Sequence, residues 1–189
     1  MKSMCVSLLI VIALFAAQGT ARADFEATAT LSGVNERPLP HLGPGTGFAD
    51  IFFFAGTDSI TYSVTFSGLF APATASHIHI GPASGTGPVV LPFTNMGPPS
   101  ATSGTFSGIL TNADIINQAT SGLTDITQIA AQILAGNAYV NIHDSVFPGG
   151  DIRGQLAPLS TPEPTSLTLF VMGAAGLLGH GWRRRGRLV

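Results

Sequence analysis

Little in this 189-residue chain offers covalent or ionic chemistry. There is one cysteine, Cys5, and it lies at the start of the short N-terminal apolar stretch rather than in the body of the chain. The remainder therefore has no disulfide and no thiol nucleophile or thiolate ligand. Charged residues make up only 10% of the chain, and the eight basic ones are unevenly placed. Between residues 24 and 160 only Arg37 and Arg153 are basic, against nine acidic residues, a balance of −7. With no basic patch, this segment is expected to repel nucleic acid and anionic membrane, and nucleic-acid binding is excluded as a function class. No G-x-S-x-G, H-E-x-x-H or phosphate-binding glycine loop occurs, so the common hydrolase, metalloprotease and nucleotide signatures are absent.

The two ends carry the remaining basic residues. Lys2 precedes the run Val6 to Ala17, VSLLIVIALFAA, and Ala21-Arg22-Ala23 follows. A basic start, a short apolar core and a small-x-small site with Ala21 and Ala23 are the parts of a secretory signal peptide. The run is shorter than the roughly 20 residues a bilayer span needs. Residues 1–23 are thus expected to be removed by signal peptidase, leaving Asp24 first, and Cys5 falls too early to be a lipoprotein cysteine. At the other end Pro162-Glu163-Pro164 precedes an apolar stretch from Leu167 to Trp182, and Arg183, Arg184, Arg185 and Arg187 close the chain. Physically this is a weakly hydrophobic transmembrane helix with a cytoplasmic stop-transfer cluster. The layout over residues 161–189 resembles the PEP-CTERM sorting signal of Gram-negative bacteria. That resemblance implies transient residence in the inner membrane, recognition by the exosortase machinery and removal near the PEP motif. A permanent C-terminal anchor is the alternative with the same hydropathy.

The 137 residues between are enough for one domain. Apolar residues alternate in Phe25 to Leu31 and in Ile60 to Ser67, predicting strands with one buried face and one hydroxyl-bearing face. Gly47 to Phe54, Gly104 to Leu110, Asn137 to His143 and Gly150 to Ala157 read as further strands. The triple phenylalanine Phe52 to Phe54 suggests coverage on both faces. TFSGL at Thr65 to Leu69 is echoed by TFSGIL at Thr105 to Leu110. Apolar spacing in Thr124 to Ala135 is helical, with Thr124 or Asp125 as cap and Gly136 as stop, and Asn112 to Thr120 reads as a shorter helix. Asn35 to Gly47, Pro82 to Pro88 and Thr94 to Ser103 are loops. Many short strands with one or two short helices predict a mostly β protein, an antiparallel β-sandwich.

Four segments in order, SGVNERPLP (Ser32 to Pro40), ASHIHIGP (Ala75 to Pro82), TFSGIL (Thr105 to Leu110) and NAYVNIHDSVFPGGDIRGQL (Asn137 to Leu156), resemble the CHRD domain. The resemblance spans about residues 25 to 157. It implies a sandwich shaped like copper/zinc superoxide dismutase and no particular activity. Arg37 to Pro40 departs from the valine and paired prolines more common in bacterial members.

The chemically suggestive stretch is ASHIHIGP. In a strand, Ile78 and Ile80 face one way and His77 and His79 the other; on a second strand His143 joins Tyr139 and Asn141 outward while Val140 and Ile142 point in. If the strands are neighbours, three imidazoles converge, a donor set for copper or zinc, with Asp144 and Asp151 as candidate further ligands or acceptors. The H-x-H pair is similar to the copper ligands of the dismutases, but no bridging histidine, zinc loop or disulfide accompanies it. The competing expectation is that these histidines sit on an exposed sheet face. His41 falls in a flexible Pro/Gly loop, and Ser76 points away from His77, so the two are not a nucleophile–base pair. Glu36 and Asp151 are a candidate carboxylate pair in space, and Asp151 with Arg153 a surface ion pair. Three readings of function follow: an exported cell-surface or matrix protein whose domain binds an extracellular polymer or protein or serves structurally; a histidine-centred copper or zinc protein, redox-active in one form; and a permanently anchored surface protein. Ser/Thr-rich faces also offer sites for O-linked glycosylation.

Overall fold

Strand alternation sets the architecture of the computed structural model, which describes residues 23–94, 101–159 and 173–174. The signal-peptide run, the Pro162-Glu163-Pro164 motif and the arginines 183–185 and 187 lie outside the described residues, and Ala23 is the one part of the cleavage site within them. Among the described residues no helix is long and apolar enough to cross a membrane.

Nine strands form one antiparallel system: β1 Phe25–Ser32, β2 Thr46–Phe54, β3 Ser59–Ser67, β4 Ala73–Ile80, β5 Val89–Pro92, β6 Gly104–Leu110, β7 Ala138–Asp144, β8 Ile152–Gln155 and β9 Ala157–Pro158. Their order is β5-β4-β7-β8-β1-β2-β3-β6, with β9 also paired to β1. The expected sandwich is therefore better described as a single, nearly closed, barrel-like sheet. The physical reason is β8: it bonds β7 on one side and touches β1 at Ser32 and Arg153 on the other, so the two layers a sandwich would keep apart are continuous. The remaining gap is filled by side chains, Phe93 after β5 packing on Tyr62 of β3 and Phe106 of β6 at centroid distances of 4.4 and 5.7 Å.

The alternating residues behave as the period-two pattern requires. Ala27, Leu31, Ile51, Ile60 and Val64 are fully buried, and the residues between them face outward. The echoed TFSG segments are antiparallel partners, Thr65 opposite Thr105, with their hydroxyls 3.1 Å apart. The phenylalanine triplet is not covered on both faces: Phe53 is buried, whereas Phe52 and the exposed Phe54 pack against each other on the other face, centroids 4.4 Å apart and rings tilted by 47°. β5 escaped the sequence pattern because VVLP has only four residues, bounded by prolines, and no visible period.

Two short α-helices interrupt the strands, α1 Gln118–Ser121 and α2 Ile126–Leu134. The expected helix at Asn112 to Thr120 is instead a single 3-10 turn, Asn112–Asp114, closed by a Thr111/Asp114 capping box and followed by α1. α2 starts where predicted: Asp125 accepts from the Thr127 N–H at 2.6 Å, satisfying one of the free donors of the first turn. It ends at Gly136, whose φ of +69° suits glycine. Its apolar face buries Ile126, Ile129 and Ile133 in the core, each worth about 2–3 kcal/mol of transfer free energy.

Around β4, β7 and β8 the outward face is not wet. Tyr139, Asn141 and Arg153 are 2–4% exposed. Residues 33–41, 81–88 and 145–151 supply the cover, which makes this face a second, polar interior.

Candidate metal centre

Pairing of β4 with β7 places His77 opposite Asn141, His79 opposite Tyr139 and Ala75 opposite His143. The three histidines thus occupy one face of adjacent strands, as the alternation implies, and the structure brings them together. One ring nitrogen from each lies within 4.8 Å of the others. His77 Nδ1 is 3.3 Å from His143 Nε2. A tetrahedral ion with bonds of about 2.0–2.1 Å needs nitrogens about 3.3 Å apart, so this pair already has the required edge length.

Tautomers follow from the partners. A carbonyl only accepts, so His79 donates Nδ1–H to Gly87 O at 3.0 Å and His143 donates Nδ1–H to Pro148 O at 3.0 Å. Both Nε2 atoms then carry lone pairs. That of His79 is buried with no hydrogen-bond partner among the described residues. Backbone carbonyls holding the distal nitrogens are the usual way that ligating imidazoles are oriented. Burial, and then the neighbouring His143 and His79, pushes His77 down to about 4. His79 also falls to about 4, chiefly by burial and further by His143 and Arg153, against the opposing Gly87 hydrogen bond. Burial lowers His143 as well, opposed by the Pro148 carbonyl and the Asp144 charge. All three imidazoles are therefore neutral at pH 7, the form that ligates.

The surroundings fix His79 further. Its ring stacks on Tyr139 at 4.6 Å and 10°, and the Arg153 guanidinium lies over the same phenol, 3.5 Å from its centroid. The Tyr139 hydroxyl accepts from the Gly87 N–H at 3.2 Å, tying the ring to the loop that orients His79.

Several expectations are corrected here. The histidines do not lie on an exposed face; His77 and His143 are half-buried and His79 is buried. Asp144 is not a ligand, because the alternation that turns His143 outward turns Asp144 inward. Its carboxylate accepts from the N–H groups of Ala71, Val146 and Phe147 at 2.7, 2.9 and 2.6 Å. Asp151 is likewise turned away, accepting from Phe70 N–H at 3.1 Å with its other oxygen 3.6 Å from His41 Nε2. Burial raises the Asp151 pKa, and the adjacent Asp144 adds to the rise. Asp151 and Arg153 form no surface ion pair, since both are buried and face different partners. His41 is held in its loop, stacked on Phe147 at 4.0 Å and 7°.

Sequence reasoning missed the depth of Glu36. It is 3% exposed, beside Asn141 Nδ2 at 3.5 Å, and its Oε1 has no partner among the described residues. Burial pushes its carboxyl up to about 7, against the pull of Arg153, the Arg37 N–H and Asn141; Asp151 adds a small further rise. The only prior signal was one acid in a long proline-rich loop, which reads as surface.

A barrel-like antiparallel β domain carrying three convergent neutral imidazoles is thus the class defined by fold and geometry. A family model for the CHRD domain matches residues 27–156, and the chain belongs to that family, a domain of extracellular and secreted proteins. No curated protein matches the chain.

Proposed function

We propose that this is an exported protein of the cell surface or extracellular matrix whose CHRD barrel holds one copper or zinc ion on His77, His79 and His143. In this reading residues 1–23 are removed on export, residues 24–160 form the working domain, and the 161–189 segment is an exosortase-sorted PEP-CTERM signal. The observation that carries the metal assignment is the buried, unpartnered Nε2 of His79 beside a His77–His143 nitrogen pair already 3.3 Å apart. Three neutral imidazoles suit either metal, and no carboxylate shares the cluster. Bound zinc would supply Lewis acidity and bound copper one-electron chemistry; the chain's own contribution is to orient the rings through Gly87 and Pro148 and to keep them neutral.

The test is elemental mass spectrometry of the purified full-length protein after incubation with copper or zinc and desalting. One equivalent of metal is expected, lost in the His77→Ala/His79→Ala double variant. Metal retained by that variant, or none in the parent, refutes the assignment and leaves a polymer- or protein-binding module. The sorting assignment is tested by intact mass of the cell-surface form: a species ending near Pro162 is expected, and one retaining residues 161–189 makes the protein permanently anchored.

A further inference from the structure

The acidic domain places its only two cations, Arg37 and Arg153, in the wall of one pocket of about 280 Å³, shared with Thr30, Asn35, Ala83 and Gln155. Two guanidinium groups this close repel each other, and Arg153 is 2% exposed. A buried or crowded cation ordinarily has an anion within contact. Neither arginine has one: the single ion pair among the described residues is His41 with Asp151. Arg153 donates to the carbonyls of Gly85 and Pro82 at 2.7 and 2.9 Å, and Arg37 to those of Val34 and Glu36 at 3.2 and 2.6 Å. With five N–H groups each, both forks keep donors in reserve. Glu36, the carboxyl whose charge acts on Arg153, is pushed up to about 7 by burial and so offsets that cation only in part at neutral pH.

We propose that the pocket between Arg37 and Arg153 binds a single carboxylate borne on a hydroxyl-rich, otherwise neutral ligand, of which a hexuronic acid is the simplest representative. The carboxylate supplies the missing counter-charge, in the fork geometry that arginine favours. The hydroxyls match the rest of the wall: Asn35 spends its amide N–H groups on Thr30 O and Arg153 O, which leaves its carbonyl oxygen as an acceptor, and the residue Thr30 beside it is exposed. Sulfate presents no donors to these groups. The balance of −7 across residues 24–160 disfavours a polyanion and favours one negative group at a time. This site is independent of whether the three histidines hold a metal.

Isothermal titration of the purified full-length protein with glucuronate, glucose and sulfate tests the proposal. Saturable 1:1 binding of glucuronate is expected, with glucose and sulfate each at least tenfold weaker. Arg153→Gln removes a buried packing group, so Arg37→Gln carries the test; with an unchanged melting temperature it should weaken glucuronate at least tenfold, and Arg37→Lys should recover part of the loss. Absence of saturable glucuronate binding, equal affinity for glucose, or an Arg37→Gln variant that binds as the parent overturns the site. Sulfate binding as tightly as glucuronate overturns the ligand class.

Discussion

Replacing Glu36 by glutamine should stabilise the domain, and only above mildly acid pH. The carboxyl is buried and its pKa rises from 4.5 to about 7 on folding. Below pH 4.5 it is protonated in both the folded and unfolded chain and contributes no difference. As pH climbs from 4.5 to 7 the unfolded chain releases the proton and the folded chain keeps it, so stability falls. At 1.36 kcal/mol per pKa unit the loss accumulates to about 3 kcal/mol and then levels off. Glutamine is isosteric and never ionises, so Glu36→Gln escapes the loss. His77 and His79 act with the opposite sign: with folded pKa values of about 4 against 6.5 unfolded, their contribution is complete above pH 6.5 and is lost as pH falls toward 4. The parent curve mixes these slopes, but the difference between variant and parent isolates Glu36. Urea unfolding of the metal-free protein at half-unit steps from pH 4 to 8 should give a difference near zero at pH 4, rising to about 2–3 kcal/mol in favour of the variant by pH 7.5. A flat difference, or a variant less stable than the parent at pH 7.5, would show that Glu36 is an ionised partner of Arg153 and refute the reasoning.

Other substitutions test the frame around the site. Ile142 is fully buried between His143 and Asn141, and Ile142→Ala should cost about 2–5 kcal/mol by urea unfolding; a loss under 1 kcal/mol would mean the barrel interior is loosely packed there. Asp144→Ala strands three N–H donors of the 70–71 and 146–147 segments, so a loss of about 3 kcal/mol or more is expected, with faster amide exchange at Ala71, Val146 and Phe147 as its signature. Gly150 has φ +132°, and an added Cβ would come within 2.5 Å of Asn141 Nδ2 and 2.6 Å of Glu36 Oε2. Gly150→Ala should therefore lower stability by roughly 2 kcal/mol or more and shift the Asn141 side-chain resonances; a neutral change would refute the close packing of that turn.

Strands were legible in the sequence wherever alternation ran for seven or more residues, as in FEATATLS and ITYSVTFS, because a half-buried strand must repeat every second position. The histidine cluster was legible in part for the same reason: parity puts His77 and His79 on one face of β4 and turns His143 outward on β7, and the pairing of the two strands brings them together. Parity was also the correction for Asp144, whose even number sets it with Ile142 and not with His143. What could not be read was the cover. Tyr139, Asn141 and Arg153 look like a solvated face until residues 33–41, 81–88 and 145–151 fold over them, and those loops have no periodicity to announce where they lie. Glu36 and His41 belong to the same failure. The closure of two layers through β8 was hidden because it depends on which strands meet and not on how any one of them is patterned.

The first strand and the last share hydrogen bonds. β1 pairs with β8 and β9, and the Leu159 N–H donates to Glu26 O at 2.8 Å. A chain that emerges N-terminus first, from the ribosome or from the export pore of the proposed function, therefore presents Phe25–Ser32 long before its partner at 152–158 is available. The sheet can close only when the final strands are free. Until then the β1 edge toward β8 stays unsatisfied, and the loop to be closed runs to well over a hundred residues, a separation that slows folding of β proteins. The order of the strands thus defers completion of the fold until the last residues of the domain are free to pair.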